Sequence, residues 1–335
     1  MDKFNRFKGA IDKAQKIVIT THLFPDADGI GSQISLAMAL KSMGKDVVCC
    51  NEEDLLERYM YLDPEDLVHS VESIPERFKK DVDLLLVVDT NTIFRTGPKI
   101  LKYSDHLNCD IFYIDHHPCS EKIKEQNCID TTAAATGQVV GELIEELGIA
   151  FTQQTALPLY TAILIDTSSF RYPTVSAKTH LLISKLMATG IESPSAYNGI
   201  YGTKKIEHLH ALGSILASAD STRNENIAWI VLKKEELNRF NIDIEDTHGF
   251  INNLLILDNI KVACMFRDDG EKLKLSLRST GEFDVGIIAT ALGGGGHSHS
   301  AATILDKTED ISIMIKKAVS KIEILLENQL QNKSY

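Results

Sequence analysis

The sequence predicts an α/β protein: a mainly parallel sheet with helices on both faces, then a second, smaller α/β domain with a mixed sheet, with a cleft for the active site between them. Three observations carry that expectation. Short apolar runs, IVIT at 17–20, DVVCC at 46–50, DLLLVVD at 83–89 and IFYID at 111–115, alternate with helical segments in the first half. Those runs are nearly continuous in apolar character, as in strands covered on both faces. In the last third KLKLSLRS at 272–279 alternates strictly, the pattern of a strand with one polar face. At 335 residues the chain has room for two cores.

The elements follow in order. MDKFNRFKGAIDKAQK is a charged amphipathic helix and lacks the apolar centre of a signal peptide. After the first strand, GSQISLAMALKSMG reads as a helix stopped at Gly44. Helices are expected over 134–148 and 155–166, with Pro158 near the start of the second, where a helix tolerates it. The segment 176–190 closes a first domain spanning 1–190. A Gly-, Pro- and Ser-rich stretch then marks a boundary, so 191–215 is a linker with a connecting helix. Residues 216–330 form the second domain, with strands IAWIVLK, IKVACMF and KLKLSLRS, a glycine-rich segment and a closing amphipathic helix.

Composition narrows the function. With 44% hydrophobic and 24% charged residues the chain is ordinary for a soluble protein. No apolar run approaches the ~18–20 residues of a membrane span, so no membrane partner is expected. Cysteines 49, 50, 109, 119, 128 and 264 form no CxxC pair, which fits reduced thiols and a cytoplasmic location. A net charge of −12 without a basic tail argues against a track for long nucleic acid. A small anion in a locally positive or metal-filled pocket remains compatible.

The chemistry lies where apolar runs end. THLFPDADGIGS puts His22, Asp26 and Asp28 just after the first strand. DLLLVVD ends on Asp89, IFYID ends on Asp115 before His116 and His117, and LYTAILID ends on Asp166. In open parallel sheets ligands bind beyond the carboxyl ends of the strands, so these eight groups converge on one rim. Each alone is ordinary: an aspartate near a helix start is commonly a cap. His69, His106, His180, His208 and His210 read as surface or packing residues. Together, several carboxylates in one cleft repel, so either some stay protonated or divalent cations neutralise them. Mixed imidazole and carboxylate donors suit Mn²⁺, Fe²⁺ or Zn²⁺ rather than Ca²⁺, and their number fits two ions. Downstream, Gly293 to Gly296 with His297 and Arg278 read as an anion cradle, whereas Arg95 and Arg171 read as exposed loop arginines.

HLFPDADGIGS, VVDT, IDHH and ILIDTSSF resemble, in order, the four motifs of the DHH phosphoesterase superfamily. GGGGHSHSAA resembles the glycine-rich motif of its DHH-associated substrate domain. The resemblance runs from about residue 10 to 306, and the two-domain size is similar to the nanoRNase branch. It implies one metal held by His22, Asp26 and Asp89 and a second by Asp28, Asp89, His116 and Asp166, with Asp89 bridging. Two Mn²⁺ ions are implied, with Mg²⁺ or Co²⁺ as substitutes. Asp115 would orient an imidazole and His117 would sit beside the scissile phosphate. With His116 and Asp89 these form the implied catalytic set, while Arg278, Gly294, Gly295, Gly296 and His297 would hold substrate phosphate.

The implied activity is hydrolysis of very short oligoribonucleotides and linear dinucleotides to mononucleotides, and of the 3′-phosphate of pAp, in a chain whose relatives commonly form homodimers. Within the superfamily the alternatives are a single-strand DNA exonuclease and a cyclic-dinucleotide phosphodiesterase; outside catalysis, a nucleotide-binding sensor. Three positions depart from the motifs: Phe24 before the first proline, Thr303 after the paired alanines, and the extra imidazole of His299.

Overall fold

A computed structural model describes residues 3–331 apart from 203, 243, 269, 281, 282 and 297. It divides the chain into two compact units, Met1–Thr203 and Lys204–Tyr335. In the first unit the strands are β1 (Lys16–Thr20), β2 (Asp46–Asn51), β3 (Val68–Ser70), β4 (Leu84–Val88), β5 (Asp110–Asp115) and β6 (Cys128–Ile129). Its helices are α1 (Lys3–Lys13), α2 (Ala27–Ser42), α3 (Pro98–His106), α4 (Glu121–Gln126), α5 (Thr136–Glu146), α6 (Gln153–Asp166), α7 (Ala177–Met187) and α8 (Ser193–Tyr201). The sheet has the order β3-β2-β1-β4-β5-β6 and every pair is parallel. The predicted parallel sheet is therefore present.

The continuous apolar runs have a direct cause. Successive residues of a strand point to opposite faces. Ile17 and Ile19 of β1 join one buried cluster with Leu84, Leu86 and Val88 of β4. Val18, Leu85 and Val87 join another cluster with Ile100 and Tyr103 of α3. Both faces are covered, so no polar face is needed.

Helix α2 is unusual in being buried on nearly every side, from Ala27 to Leu40. It packs on α6, and Gly31 sets the approach: a Cβ there would lie 2.3 Å from the Pro158 carbonyl oxygen. Because backbone cannot yield as a side chain can, Gly31→Ala is expected to destabilise the protein by about 2–3 kcal/mol. A denaturant midpoint unchanged within error would contradict this packing. Helix α6 starts earlier than its sequence predicts. Thr152 and Thr155 form a reciprocal cap, so Pro158 falls in the second turn rather than the first.

The second unit contains β7 (Asp220–Ser221), β8 (Ile227–Lys233), β9 (Val262–Asp268), β10 (Lys272–Ser279), β11 (Gly295–Gly296) and β12 (Ser300–Asp306). Its helices are α9 (Ile206–Ala217), α10 (Lys234–Arg239), α11 (Val285–Ala291) and α12 (Ile311–Gln331). The order is β11-β12-β10-β9-β8-β7, mixed as expected, since only β8–β9 is parallel among pairs otherwise antiparallel. Leu273, Leu275 and Leu277 of β10 enter one core with Ile288 and Ile322. Lys274, Ser276 and Arg278 take the other face, as the alternation requires. Among the described residues no helix is long and apolar enough to cross a membrane.

Candidate metal centre

The sheet order places the site. From β1 the chain moves outward to β2 and β3, then returns so that β4 pairs on the other side of β1. The connections leave in opposite directions at this point, opening a crevice beyond the strand ends. The loop after β1 carries His22 and Asp26, the first turn of α2 carries Asp28, and β4 leads directly to Asp89. Next door, β5 ends on Asp115 and leads into His116 and His117. Asp166 comes from elsewhere, as the last residue of α6.

All eight side chains meet. Three groups each have donor atoms within 4.8 Å of one another: His22, Asp26 and Asp89; Asp89, His116 and His117; Asp28, His116 and Asp166. Asp89 and His116 are shared, so the groups form one chain, and Asp115 joins it through His117 at 2.7 Å. His22 Nε2 lies 3.3 Å from Asp89, and His116 Nε2 lies 3.4 Å from Asp166 and 3.9 Å from Asp28.

Hydrogen bonds fix which imidazole atoms face inward. His22 Nδ1 contacts the Leu23 carbonyl oxygen at 2.9 Å and His116 Nδ1 contacts that of Ala133 at 3.4 Å. A carbonyl only accepts, so both Nδ1 atoms carry the proton and both Nε2 atoms are left as donors to a cation. His117 differs. Its Nδ1 faces Asp115, whose carboxylate is held by the His116 amide at 2.8 Å and the Asn91 side-chain amide at 2.9 Å.

The carboxylates are held just as firmly. Asp26 caps α2, accepting from the Asp28 and Gly29 amides. Asp28 is buried against the start of α5, where it accepts from the Thr136 and Gly137 amides, each at 2.8 Å. Thr136 also donates its hydroxyl to Asp89 at 2.8 Å. The positive end of a helix suits this charge. The backbone is left-handed at Phe24, at Asp89 (φ +60°) and through Ser168, Ser169 and Phe170 beyond Asp166. Non-glycine residues adopt that conformation at a cost, and such strain concentrates at functional sites.

The charges are out of balance without a cation. Burial, reinforced by Asp89, Asp166 and Asp26, pushes the Asp28 carboxyl well up. Burial and the charges of Asp26 and Asp89 lift Asp166 to about 6, against the pull of His116. Asp89 goes the other way. Burial alone would raise it, but His22, His117 and His116 together hold it below the usual carboxylate range. Burial would also strip His22 of its proton, yet Asp89 and Asp26 hold that proton up to about 9. The donor set therefore fits divalent cations: protons now occupy positions that a metal ion would take.

His22 must lose its proton to ligate, so below pH 9 each Mn²⁺ bound there releases one. Affinity is expected to rise by up to about tenfold per unit between pH 7 and 9 and then level off. Titration calorimetry in buffers of different ionisation enthalpy reads the released proton, and an affinity flat across that range would contradict the assignment.

The remaining expected residues lie on other elements. Arg278, Gly294, Gly295 and Gly296 belong to the second unit, and His297 lies outside the described residues. Within that unit they are close in register: Arg278 pairs with Ser300 of β12, next to Ala301, which pairs with Gly296. Two of the four glycine amides of the expected cradle have partners within the chain. The Gly293 and Gly294 amides are used at the end of α11, on the Thr290 and Ala289 carbonyls at 3.0 and 2.8 Å. Gly294 is glycine because β12 passes close by, with a Cβ falling 2.1 Å from the Ala302 carbonyl oxygen. Arg171 is tied to its own loop through Ser168. Sequence reasoning missed Thr136, Gly137 and Asn91; the helix start AATG, small and polar beside an acidic site, was the available signal.

Comparison with known proteins gives two family matches. The DHH family N-terminal domain matches residues 16–163 and the DHHA1 domain matches 216–323. The chain is 26% identical to the bifunctional oligoribonuclease and PAP phosphatase NrnA of Thermus thermophilus, covering 86% of this chain and 84% of that one. It is 25% identical to the cyclic-di-AMP phosphodiesterase GdpP of Bacillus subtilis, over 97% of this chain but 49% of the longer relative. Among solved structures, an exopolyphosphatase-related protein from Bacteroides fragilis superposes with a TM-score of 0.85 at 26% identity, covering 97% and 96% of the two chains.

Proposed function

We propose, from the premise that this chain belongs to the DHH phosphoesterase family, that it is a two-metal phosphodiesterase acting on very short oligoribonucleotides and linear dinucleotides, and on the 3′-phosphate of pAp. The observation that carries the reading is the chain of three donor groups through Asp89 and His116. His22, Asp26 and Asp89 would hold one ion and Asp28, Asp89, His116 and Asp166 the other, with Mn²⁺ as the ion such donors suit. Bound there, the ions would supply charge neutralisation and an activated water.

The protein's own groups do the positioning. Asp115 accepts the hydrogen bond of His117 Nδ1–H and leaves Nε2 for a phosphoryl oxygen. Burial would remove the second proton of His117, but the hydrogen bond to Asp115 and the charges of Asp89 and Asp115 outweigh it and raise its pKa. A protonated His117 beside phosphorus would stabilise charge that grows as the leaving ribose oxygen departs. Thr136 and the start of α5 keep Asp89 and Asp28 in place, so no reorganisation is needed during the reaction. In the second unit Arg278, Gly295 and Gly296 are the proposed holders of a terminal phosphate, since Arg278 offers a bidentate fork.

Short substrates are favoured by the name of the relative that covers most of both chains and by the net charge of −12, which gives long polyanions no track. The test is a panel of RNAs of two to about twenty nucleotides, pAp, cyclic di-AMP and pyrophosphate, each with Mn²⁺. Dinucleotides are expected to turn over at least about tenfold faster than the longest RNA. Equal rates across lengths, or activity confined to cyclic di-AMP, would overturn the reading.

A further inference from the structure

We propose that Phe24 and Phe94 form a stacking platform for a nucleobase at the rim of the metal centre, so that the site reads the base as well as the phosphate. The inference rests on the nucleotide reading above and states what that site recognises. Both rings belong to the loops that carry the centre. Phe24 lies between His22 and Asp26, and Phe94 five residues after Asp89. The loops are joined beside the two rings, the Leu23 amide donating to the Arg95 carbonyl at 2.7 Å.

Phe24 is 82% and Phe94 79% exposed, the two highest values among the large hydrophobic residues described. Rings left in water forgo the burial that favours them, and two such rings on joined loops beside one charged centre point to a ligand. Phe24 adds a second indication. Its φ is +54°, and it precedes Pro25. A bulky residue is disfavoured in the left-handed region, and a residue before proline is pushed toward extended backbone. Glycine would carry this turn with less strain, so the phenylalanine is kept at a cost to the backbone. Stacking accounts for the ring: every base offers a π-face, and each stacked base contributes roughly tenfold or more in affinity. The occupant is thus a nucleoside phosphate, its phosphate at the metal centre and its base over the rings.

The test compares AMP with ribose 5-phosphate, which differ by the base alone, binding to the Mn²⁺-loaded full chain by calorimetry. The wild type is expected to bind AMP at least about tenfold tighter. Phe24→Ala and Phe94→Ala should each weaken AMP several-fold and leave ribose 5-phosphate unchanged, and Phe24→Trp should restore AMP. Phe24→Gly should lose AMP affinity while its Tm does not fall, which separates stacking from a structural role. Equal binding of the two ligands by the wild type, or equal weakening of both in the alanine variants, would overturn the platform. Dinucleotide hydrolysis is scored separately. Its absence would overturn the phosphodiesterase reading with the base preference intact, and hydrolysis without base preference would remove the platform alone.

Discussion

Asp89→Asn is expected to lower turnover on the order of 10³-fold or more, while the protein stays folded. Asp89 groups with His22 and Asp26, which would hold the first ion, and with His116, which would help hold the second, so a change there is expected to reach both proposed ion positions. Asparagine is the right replacement because it tolerates left-handed backbone, and Asp89 sits at φ +60°. It also keeps an oxygen to accept from Thr136, so the start of α5 need not move. What is lost is charge: the partner of His22 at 3.3 Å becomes neutral and Mn²⁺ affinity falls at both positions. Circular dichroism and a thermal melt would confirm the fold. Turnover within tenfold of wild type would remove Asp89 from the centre of the account.

Asp166→Asn should separate stability from function. The Asp166 carboxyl titrates at about 6 in the metal-free fold, against an ordinary value near 4, because burial and the charges of Asp26 and Asp89 oppose its ionisation. The sign is therefore destabilising. Below about pH 4 both folded and unfolded forms are protonated and the group contributes nothing. Between pH 4 and 6 the unfolded chain ionises first, and stability falls as pH rises. The shift corresponds to about 3 kcal/mol, but the side chain is 32% exposed, so solvent screening leaves an expected gain of about 1–2 kcal/mol for the asparagine variant at pH 7. In the same variant Mn²⁺ should stabilise less and turnover should collapse. A metal-free variant less stable than wild type at pH 7 and equally stable at pH 4 would contradict the electrostatic argument.

Much of this arrangement is legible in sequence, and the reason is burial. Strands β1 and β4 are covered on both faces and β5 at its carboxyl end, so their apolar runs stand out and their ends are sharp. A carboxylate or imidazole at such an end is conspicuous, which is why His22, Asp89, Asp115 and His116 could be named together. Strands β3 and β6 are too short, at three and two residues, for any periodicity to register. Strand β12 is masked because its residues follow a glycine run that reads as an open loop. Only the strand passing at Ala302 reveals that Gly294 answers a packing need. The supporting contacts are invisible for another reason. The Leu23 and Ala133 carbonyls and the Thr136 hydroxyl act through position alone, and no residue type announces that role.

Anomalous diffraction from crystals grown with saturating Mn²⁺ tests the central claim most directly. Two peaks about 3.5–4 Å apart are predicted per chain, one beside His22 and Asp26, the other beside Asp28, His116 and Asp166, with Asp89 touching both. A single peak, or two peaks that Asp89 does not join, would contradict it.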